Sequence, residues 1–579
     1  MDSKIRLETY QTDVLIIGGG TAGCMAAVAL KEADPNLKVM IMEKGNIERS
    51  GCLASGMNAI NAYLNPGETP ESFTRYVRYD AMGLIREDLV YSGAQELNRM
   101  VAKVEEWGLP ILKDQTGRYQ PRGRWNIKIN GESLKPLMAS KVKESGVEAL
   151  NRVFAGDYLL NEGRIVGALG FGVRDGSAYL IKAKAVICCT GGASGIYRPN
   201  NPGQAGHKMW YPPFNAGAGY AMGIRAGAEF TGLEMRFIAL RTKDIICPTG
   251  TLALGFGAKQ LNADGKEFMK SRYNHWGGEG APTCIRVYGP TQEKKEGRGP
   301  CFLDTRHLTK EQAKKLKAAY LDMYPGIVLY WAANEFDPSV TPVEICGTEP
   351  YVMGGHCQAG YWIDEARRTT IEGLYAAGDV AGGYPYKFVS GCWAEGYIAA
   401  QTAFNDLQKH REVKSVKIDD LSQKLERLTK PLFNYEVGRD GVHPEEMEER
   451  LQKVMDEYAG GIGSFYEMNA AGLVKAREEL NRLKKQKDHL IAADPHQLML
   501  CHEVLDRIAV ARQLVEHLFY RKETRWPGFQ TRTDFPERDD FNWLKFVNSI
   551  YDSESDEIRI IERPYQKTID GERYLPKYG

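Results

Sequence analysis

A glycine-rich turn between two short apolar strands constrains this chain more than any other feature. Residues 13–17 read DVLII, Gly18, Gly20 and Gly23 follow with the spacing G-x-G-x-x-G, and a second strand, KVMIM, runs up to Glu43. In such a unit the glycines allow a tight turn, a close approach of the backbone to a pyrophosphate, and close helix–strand packing. The helix N-terminus then binds the pyrophosphate, and Glu43 accepts hydrogen bonds from a ribose. The pattern predicts a dinucleotide-binding α/β domain.

Composition excludes several classes of protein. The 579 residues contain 75 Lys+Arg and 75 Asp+Glu, and this charge balance argues against nucleic acid as the main partner. No apolar run reaches the roughly 18 residues that span a membrane, and the first residues do not resemble a secretory signal. The 11 cysteines form no C-x-x-C pair, which predicts no disulfide framework, metal site or iron–sulfur ligand set in this chain. We expect a cytoplasmic protein.

The later sequence predicts a divided first domain. The stretch AVICCTGG (185–192) and the late strand LYAA, followed by Gly378 and Asp379, both read as buried strands that end in glycines. Charged runs with helical period dominate after them and predict a helical bundle, whose last forty polar, Pro-punctuated residues read as an arm. The expected segments are an FAD-binding part (1–236), a capping or lid domain (237–352), a second FAD-binding part (353–415) and a C-terminal helical domain with a terminal arm (416–579).

Several separate segments resemble the fumarate reductase/succinate dehydrogenase flavoprotein superfamily. RTDFPERDDFNWLK (532–545) resembles its C-terminal signature, and EGRGP (296–300) and TEPYVMGGH (348–356) resemble its lid and active-site segments. Within it, the family of adenylylsulfate reductase alpha subunits is similar in further segments, which include RSGCLASGMNAINAY (49–63), GRWNIKINGES (123–133), WYPPFNAG (210–217), EMRFIALRTKD (234–244), PTCIR (282–286) and KFVSGCWAEG (387–396).

The resemblance implies FAD as the cofactor, in an α/β dinucleotide-type fold. Many members of the superfamily link FAD covalently through a histidine just after Arg-Ser, but Gly51 stands at that position, so we expect non-covalent FAD. The residues implied to bind it are Gly18, Gly20, Ala22, Gly23, Glu43, Lys44, Ser50, Gly51, Ser55, Thr190, Gly191, Gly378, Asp379, Ser390 and Glu395.

The resemblance also implies a set of active-site residues. The substrate of that family, adenylylsulfate, is an anionic sulfonucleotide and requires cations. The planar guanidinium of arginine suits its sulfate and phosphate oxygens, and a histidine can add a hydrogen bond or a proton. Taken alone, an arginine in PTCIR reads as a structural ion pair, a histidine in GGH as a loop residue, and a tryptophan in WYPPF as core. The implied catalytic residues are Asn61, Glu132, Trp210, Arg241, Leu254, Arg286 and His356.

The implied reaction is the reduction of adenylylsulfate to sulfite and AMP, by attack of reduced FAD N5 on the sulfate sulfur. Electrons are then expected from a small ferredoxin-like iron–sulfur beta subunit with [4Fe–4S] clusters, in a heterodimer or a dimer of heterodimers. Three alternatives stay open: a 3′-phosphoadenylylsulfate reductase of the same architecture, a fumarate reductase or succinate dehydrogenase with Arg298 as proton shuttle, and a non-catalytic flavin electron relay.

Overall fold

The computed structural model describes residues 6–55, 57–199, 209–243, 245, 249–409 and 418–571. Its strands are β1 (Leu7–Ile17), β2 (Val39–Glu43), β3 (Ala59–Asn61), β4 (Pro121–Gly123), β5 (Asn126–Lys128), β6 (Glu148–Asn151), β7 (Val153–Asn161), β8 (Arg164–Gly172), β9 (Ala178–Cys188), β10 (Phe230–Thr231), β11 (Leu240–Thr242), β12 (Lys259–Leu261), β13 (Cys301–Asp304), β14 (Val343–Gly347), β15 (Gly360–Tyr361), β16 (Leu374–Ala376), β17 (Glu467–Met468), β18 (Thr531–Arg532), β19 (Lys545–Asp552) and β20 (Glu557–Pro564).

The helices are α1 (Thr21–Ala33), α2 (Pro70–Asp80), α3 (Glu87–Glu106), α4 (Leu134–Glu144), α5 (Ala218–Arg225), α6 (Thr249–Leu254), α7 (Phe268–Ser271), α8 (Thr283–Lys295), α9 (Lys310–Met323), α10 (Pro325–Ala333), α11 (Phe388–Leu407), α12 (Ile418–Glu436), α13 (Pro444–Tyr458), α14 (Ala470–Lys485), α15 (Pro495–Tyr520) and α16 (Asp540–Trp543).

The largest sheet has seven strands and carries the glycine turn. Its order is β6-β2-β1-β9-β8-β7, and the late strand β16 pairs with β9. The pairs β6–β2, β2–β1, β1–β9 and β9–β16 are parallel, so the carboxyl ends of β1, β9 and β16 meet at one edge. In open α/β sheets that edge is where ligands bind. Segments far apart along the chain therefore contribute to one site.

Buried apolar residues occupy both faces of this sheet. One cluster contains the buried side of α1 with parts of α3, α4 and α11, and the other extends into the lid and the C-terminal helices. Strand β1 shows why both faces are covered: its last four residues, Val14–Ile17, are at most 2% exposed, so neither side of the strand reaches solvent. Continuous burial of this kind is typical of parallel sheets covered on both faces.

The segment between the two parts of the large sheet forms a separate sheet. Strands β11, β14, β13 and β12 pair in that order, all antiparallel. Helix α9 begins with a capping box in which Thr309 and Gln312 exchange side-chain and backbone hydrogen bonds. Helix α9 covers most of the lysine-rich run KEQAKKLKAAYLDMY, with its bounds at Lys310 and Met323.

Four long helices, α12 to α15, follow and confirm the predicted helical region. The longest, α15, begins after Asp494, whose side chain accepts a hydrogen bond from the Gln497 amide, with Pro495 at the first helical position. Part of the expected arm is different: β19 and β20 form a hairpin that joins β10 and β15 in a four-stranded sheet. The hairpin covers the α/β domain and does not project from it.

No helix among the described residues is long and apolar enough to cross a membrane. The domain boundaries expected from the sequence remain a prediction.

Candidate active site

The glycine turn after β1 has the geometry that its sequence predicts. Gly18 has φ of +97°, a conformation that L side chains rarely adopt. A Cβ on Gly23 would lie 2.0 Å from the Gly18 carbonyl oxygen, so only glycine allows this approach of helix and strand. The carboxylate of Glu43, which is 7% exposed, accepts hydrogen bonds from the Gly19 amide at 2.8 Å and the Gly45 amide at 2.6 Å.

A second glycine turn faces the first. Gly378 follows β16 with φ of +80°, and a Cβ there would lie 3.1 Å from the Cβ of Ala22 on α1. The Gly378 amide donates to Glu395 at 2.9 Å, and the Lys387 ammonium donates to Glu395 at 3.0 Å. Both charged side chains are fully buried, and the cost of burying them is offset by their hydrogen bonds to the turn. The ion pair holds the Gly378–Asp379 turn against α1.

The donors and space around these turns fit an FAD diphosphate. Helix α1 has no side-chain cap at Gly20, so its first amides have no partner from a capping side chain. A Cβ on Gly20 would meet nothing nearer than 4.0 Å, and Gly51 lies beside it, since a Cβ on Gly51 would lie 3.8 Å from the Gly20 Cα. The buried Oγ of Ser50 has no hydrogen-bond partner in the described part of the chain. The first amides of α1 and the Ser50 hydroxyl are therefore donors available to a ligand, and the space beside Gly20 is free to hold it.

The other expected cofactor residues make different contacts. Lys44 forms an ion pair with Glu503 of α15. Ser390 donates to the carbonyl oxygens of Asn61 and Ala62, each at 2.6 Å, and so fastens α11 to β3.

Thr190 and Gly191 follow β9, and Gly191 has φ of +78°. Ser55 lies in the short helical turn Cys52–Ser55, and its side chain is outside the described part of the structure.

Two of the expected catalytic residues form an aromatic cluster. The His356 and Trp210 rings are 5.2 Å apart and perpendicular, and Phe237 and Phe388 lie 4.5 and 4.9 Å from His356. The Nδ1 atom of His356 is buried and has no hydrogen-bond partner within the described residues. Burial lowers the pKa of His356 to about 4, with an opposing effect from Asp379. The imidazole is therefore neutral near pH 7.

Tyr211 connects this cluster to the cofactor turns. Its hydroxyl donates to Asp379 at 2.8 Å and accepts from the Gly192 amide at 2.9 Å, so it joins the ends of β9 and β16. Burial raises the pKa of Tyr211 well above its usual value, which keeps it protonated as a donor. Sequence reasoning missed Tyr211, whose only signal was its place beside Trp210.

The two expected arginines differ in their surroundings. Arg241 in β11 is 1% exposed and its Nη1 donates to the carbonyl oxygens of Thr242 and Ile245, each at 2.9 Å. Arg286 near the start of α8 is partly exposed, and its Nη2 donates to Thr283 Oγ1 at 2.8 Å. The buried Nε of Arg286 has no hydrogen-bond partner in the described residues. Arg286 therefore has more capacity to bind an anion, while Arg241 also orders its own loop.

The other three expected catalytic residues lie in separate elements. Asn61 ends β3, where its carbonyl oxygen is held by Ser390, two residues after Phe388. Leu254 ends α6 and packs partly buried against the main core. Glu132 is exposed in the turn Gly131–Ser133, and no hydrogen bond or ion pair joins it to the other six among the described residues.

Comparisons with known proteins agree with this geometry. The family model "FAD binding domain" matches residues 13–388, and the model "Fumarate reductase flavoprotein C-term" matches residues 448–575. Fold and site thus define an FAD-dependent flavoprotein with a fumarate reductase-type C-terminal region.

More specific matches cover nearly the whole chain. The adenylylsulfate reductase subunit alpha of Megalodesulfovibrio gigas is 34% identical over 97% of this chain and 96% of its own length. The adenylylsulfate reductase of Archaeoglobus fulgidus superposes with a TM-score of 0.93 at 36% identity, over 98% of each chain. The same values hold for an adenosine-5-phosphosulfate reductase in complex with sulfite as a covalent adduct. The chain belongs to the adenylylsulfate reductase alpha subunit family.

Proposed function

We propose that this chain reduces adenylylsulfate to sulfite and AMP as the flavoprotein subunit of a sulfonucleotide reductase. The observation that carries the proposal is the full-length match to a structure holding a covalent sulfite adduct, at a TM-score of 0.93. FAD, when bound, supplies the electron pair for the reaction. The protein's own residues must bind the two anionic groups of the substrate, exclude water and stabilise the charge on the leaving phosphate.

The arginines supply positive charge in this scheme. Arg286 presents a guanidinium whose Nε lacks a hydrogen-bond partner in the described structure, and a planar fork suits sulfate and phosphate oxygens. Arg241 carries a second charge from a buried position and orders the loop after β11 through Thr242 and Ile245. We assign substrate contact chiefly to Arg286.

The histidine and the aromatic rings have a different part. With a pKa of about 4, His356 offers a neutral imidazole as a hydrogen-bond partner and does not add a second fixed cation. Trp210, Phe237 and Phe388 surround it and limit the access of water. In this proposal Asn61 and Leu254 shape the site, and Glu132 stands at its solvent-exposed side.

We also propose that electrons arrive from a ferredoxin-like iron–sulfur subunit. The support is the name of the Megalodesulfovibrio gigas relative, a subunit alpha, which implies a second subunit in that enzyme. The assembly would be a heterodimer or a dimer of heterodimers.

The function is tested by turnover of the purified flavoprotein. With a reduced small-molecule dye as electron donor, adenylylsulfate should give sulfite and AMP in equal amounts. Efficient turnover with NADH or NADPH alone would contradict the proposed electron route, and failure to form sulfite with any donor would contradict the reaction.

A further inference from the structure

A buried lysine behind the glycine turn has no part in the function described so far. Lys135, in the first turn of α4, is 1% exposed, and its ammonium donates to the Gly19 carbonyl oxygen. The Sγ of Cys24 lies 3.8 Å away and itself donates to the same carbonyl at 3.3 Å. Among the described residues, the partners of the ammonium are this carbonyl oxygen and this thiol, and it forms no ion pair.

Such a charge is costly to bury. Removing an ammonium from water costs several kcal/mol unless an opposite charge or several hydrogen bonds compensate, and here a carbonyl and a thiol do so only in part. The carboxylate of Glu43, on the same glycine turn, is already engaged by the Gly19 and Gly45 amides. A negative charge that arrives with a ligand would complete the compensation.

The Gly19–Gly20 peptide indicates the side on which such a ligand would lie. The Gly19–Gly20 peptide is trans, so its C=O and N–H point in opposite directions. Because the carbonyl points at Lys135, the Gly20 N–H points away from Lys135, and it donates no hydrogen bond to the described residues. A Cβ at Gly20 would meet nothing nearer than 4.0 Å, and the uncapped start of α1 adds further amides.

We propose that Lys135 is a positioning residue for FAD: its ammonium holds the Gly19–Gly20 peptide so that the Gly20 N–H is directed at the cofactor diphosphate. Without it, the carbonyl has only the weak thiol donor of Cys24, and a glycine–glycine peptide rotates readily. A rotated peptide would turn its carbonyl oxygen toward the phosphates and repel them. Lys135 acts through the backbone and does not touch the flavin ring, so the flavin reduction potential should not change.

The test compares variants of the holoenzyme. Flavin release is followed by the rise of flavin fluorescence at a temperature where circular dichroism shows the chain folded. Lys135→Met should release FAD about 10- to 100-fold faster, the range expected for loss of one charge-assisted hydrogen bond. Lys135→Arg should restore slow release at least in part, since it keeps a charged donor. Lys141→Met, on the exposed side of the same helix, is the matched control.

Each outcome decides the matter. Faster FAD release from folded Lys135→Met, with an unchanged flavin potential and a wild-type Lys141→Met, supports the proposal. Release at the wild-type rate overturns it. If Lys135→Met and Lys135→Arg lose flavin only as they unfold, Lys135 is a packing residue of α4 and the proposal is also overturned.

Discussion

At the scale of single residues, burial determines the protonation of two histidines, His356 and His502. His502 of α15 is 6% exposed, packs beside Phe154 and Phe171, and hydrogen-bonds the Leu428 carbonyl oxygen at 2.7 Å. Burial lowers its pKa to about 3, against 6.5 for a free histidine. Between those pH values the unfolded chain binds a proton that the folded chain does not, so this group's stability contribution is lost as pH falls from 6.5 toward 3.

We therefore expect His502→Gln to flatten the pH dependence of stability. Glutamine keeps a donor for the Leu428 carbonyl but does not titrate, which removes up to about 1.4 kcal/mol per pH unit of acid destabilisation. The measurement is the thermal midpoint of wild type and variant from about pH 7 to about pH 4.5, with His489→Gln, an exposed histidine, as control. Parallel curves for His502→Gln and wild type would contradict this, because they would mean that His502 binds its proton equally well in the folded and unfolded chain.

The assignment of substrate contact to Arg286 predicts a kinetic effect without loss of FAD. Arg286→Ala should lower kcat/KM by roughly 10²–10³-fold, the scale of losing one charge-stabilising donor. Lys294→Ala, at the exposed end of the same helix, should remain near wild type. An Arg286→Ala protein that unfolds or loses its flavin would show that the Arg286–Thr283 contact is structural.

Some functional residues were beyond the reach of sequence reasoning at this scale. The glycines and Glu43 were predictable because a local turn requires them. Lys135 and Tyr211 were not, since their roles depend on Gly19 and Asp379, which are 116 and 168 positions away along the chain.

At the scale of elements, sequence periodicity predicted the helices that form from neighbouring residues. Helices α12 to α15 lie in the region where charged runs with helical period predicted them, because an apolar helix face needs only a neighbouring core to pack against. The hairpin β19–β20 was interpreted as an arm. Its strands are mostly polar, and they form a sheet by pairing with β10, which lies far earlier in the chain, so the local sequence did not indicate it.

The contact of α1 with α11 gives an element-scale prediction. A Cβ on Gly396 would lie 2.3 Å from the Ala22 carbonyl oxygen, so the helices must separate in Gly396→Ala. Overpacking of this kind costs about 1–3 kcal/mol, more than the roughly 1 kcal/mol that alanine gains in helix propensity. We expect a lower thermal midpoint and weaker FAD retention, whereas Gly123→Ala, whose nearest contact would be 3.4 Å, should have little effect. Equal midpoints would mean that α11 shifts without cost.

The loop after β2 predicts how FAD is held. Gly51 lies beside Gly20 and has no side chain to form a covalent link, and its φ of +77° favours glycine. Acid precipitation of the holoenzyme should leave yellow flavin in the supernatant. Flavin colour that remains on the denatured polypeptide after washing would contradict this prediction.

At the scale of the whole molecule, the C-terminal residues are fastened to the FAD-binding domain. The amides of Thr568 and Ile569 each donate to Glu87 at 2.9 Å, and Arg78 reaches the Ile569 carbonyl oxygen at 2.7 Å. Glu87 is fully buried, and its hydrogen bonds keep its pKa below the usual value despite burial. The end of the described chain therefore stabilises α2 and α3. Helix α2 is in turn linked to Arg286, because its last residue, Asp80, accepts a hydrogen bond from Thr283, whose hydroxyl accepts one from Arg286.

The choice of sulfonucleotide is also a property of the whole site. Adenylylsulfate and 3′-phosphoadenylylsulfate share the bond to be broken, and the second adds only a phosphate that needs one more cation. Arg122 is a candidate for binding the 3′-phosphate, because it is partly buried and has no ion pair among the described residues. Burial lowers the pKa of Arg122 to about 10, so it still carries its charge at pH 7. However, its Nη1 is engaged by Asn58 at 2.8 Å, beside the lid helix α9. We therefore expect a higher kcat/KM for adenylylsulfate in parallel assays with the dye-reduced enzyme. A preference for the 3′-phosphorylated nucleotide that Arg122→Gln abolishes would reverse the expected preference for adenylylsulfate. If fumarate is reduced fast and neither nucleotide is reduced, the enzyme would instead be a fumarate reductase of the same superfamily.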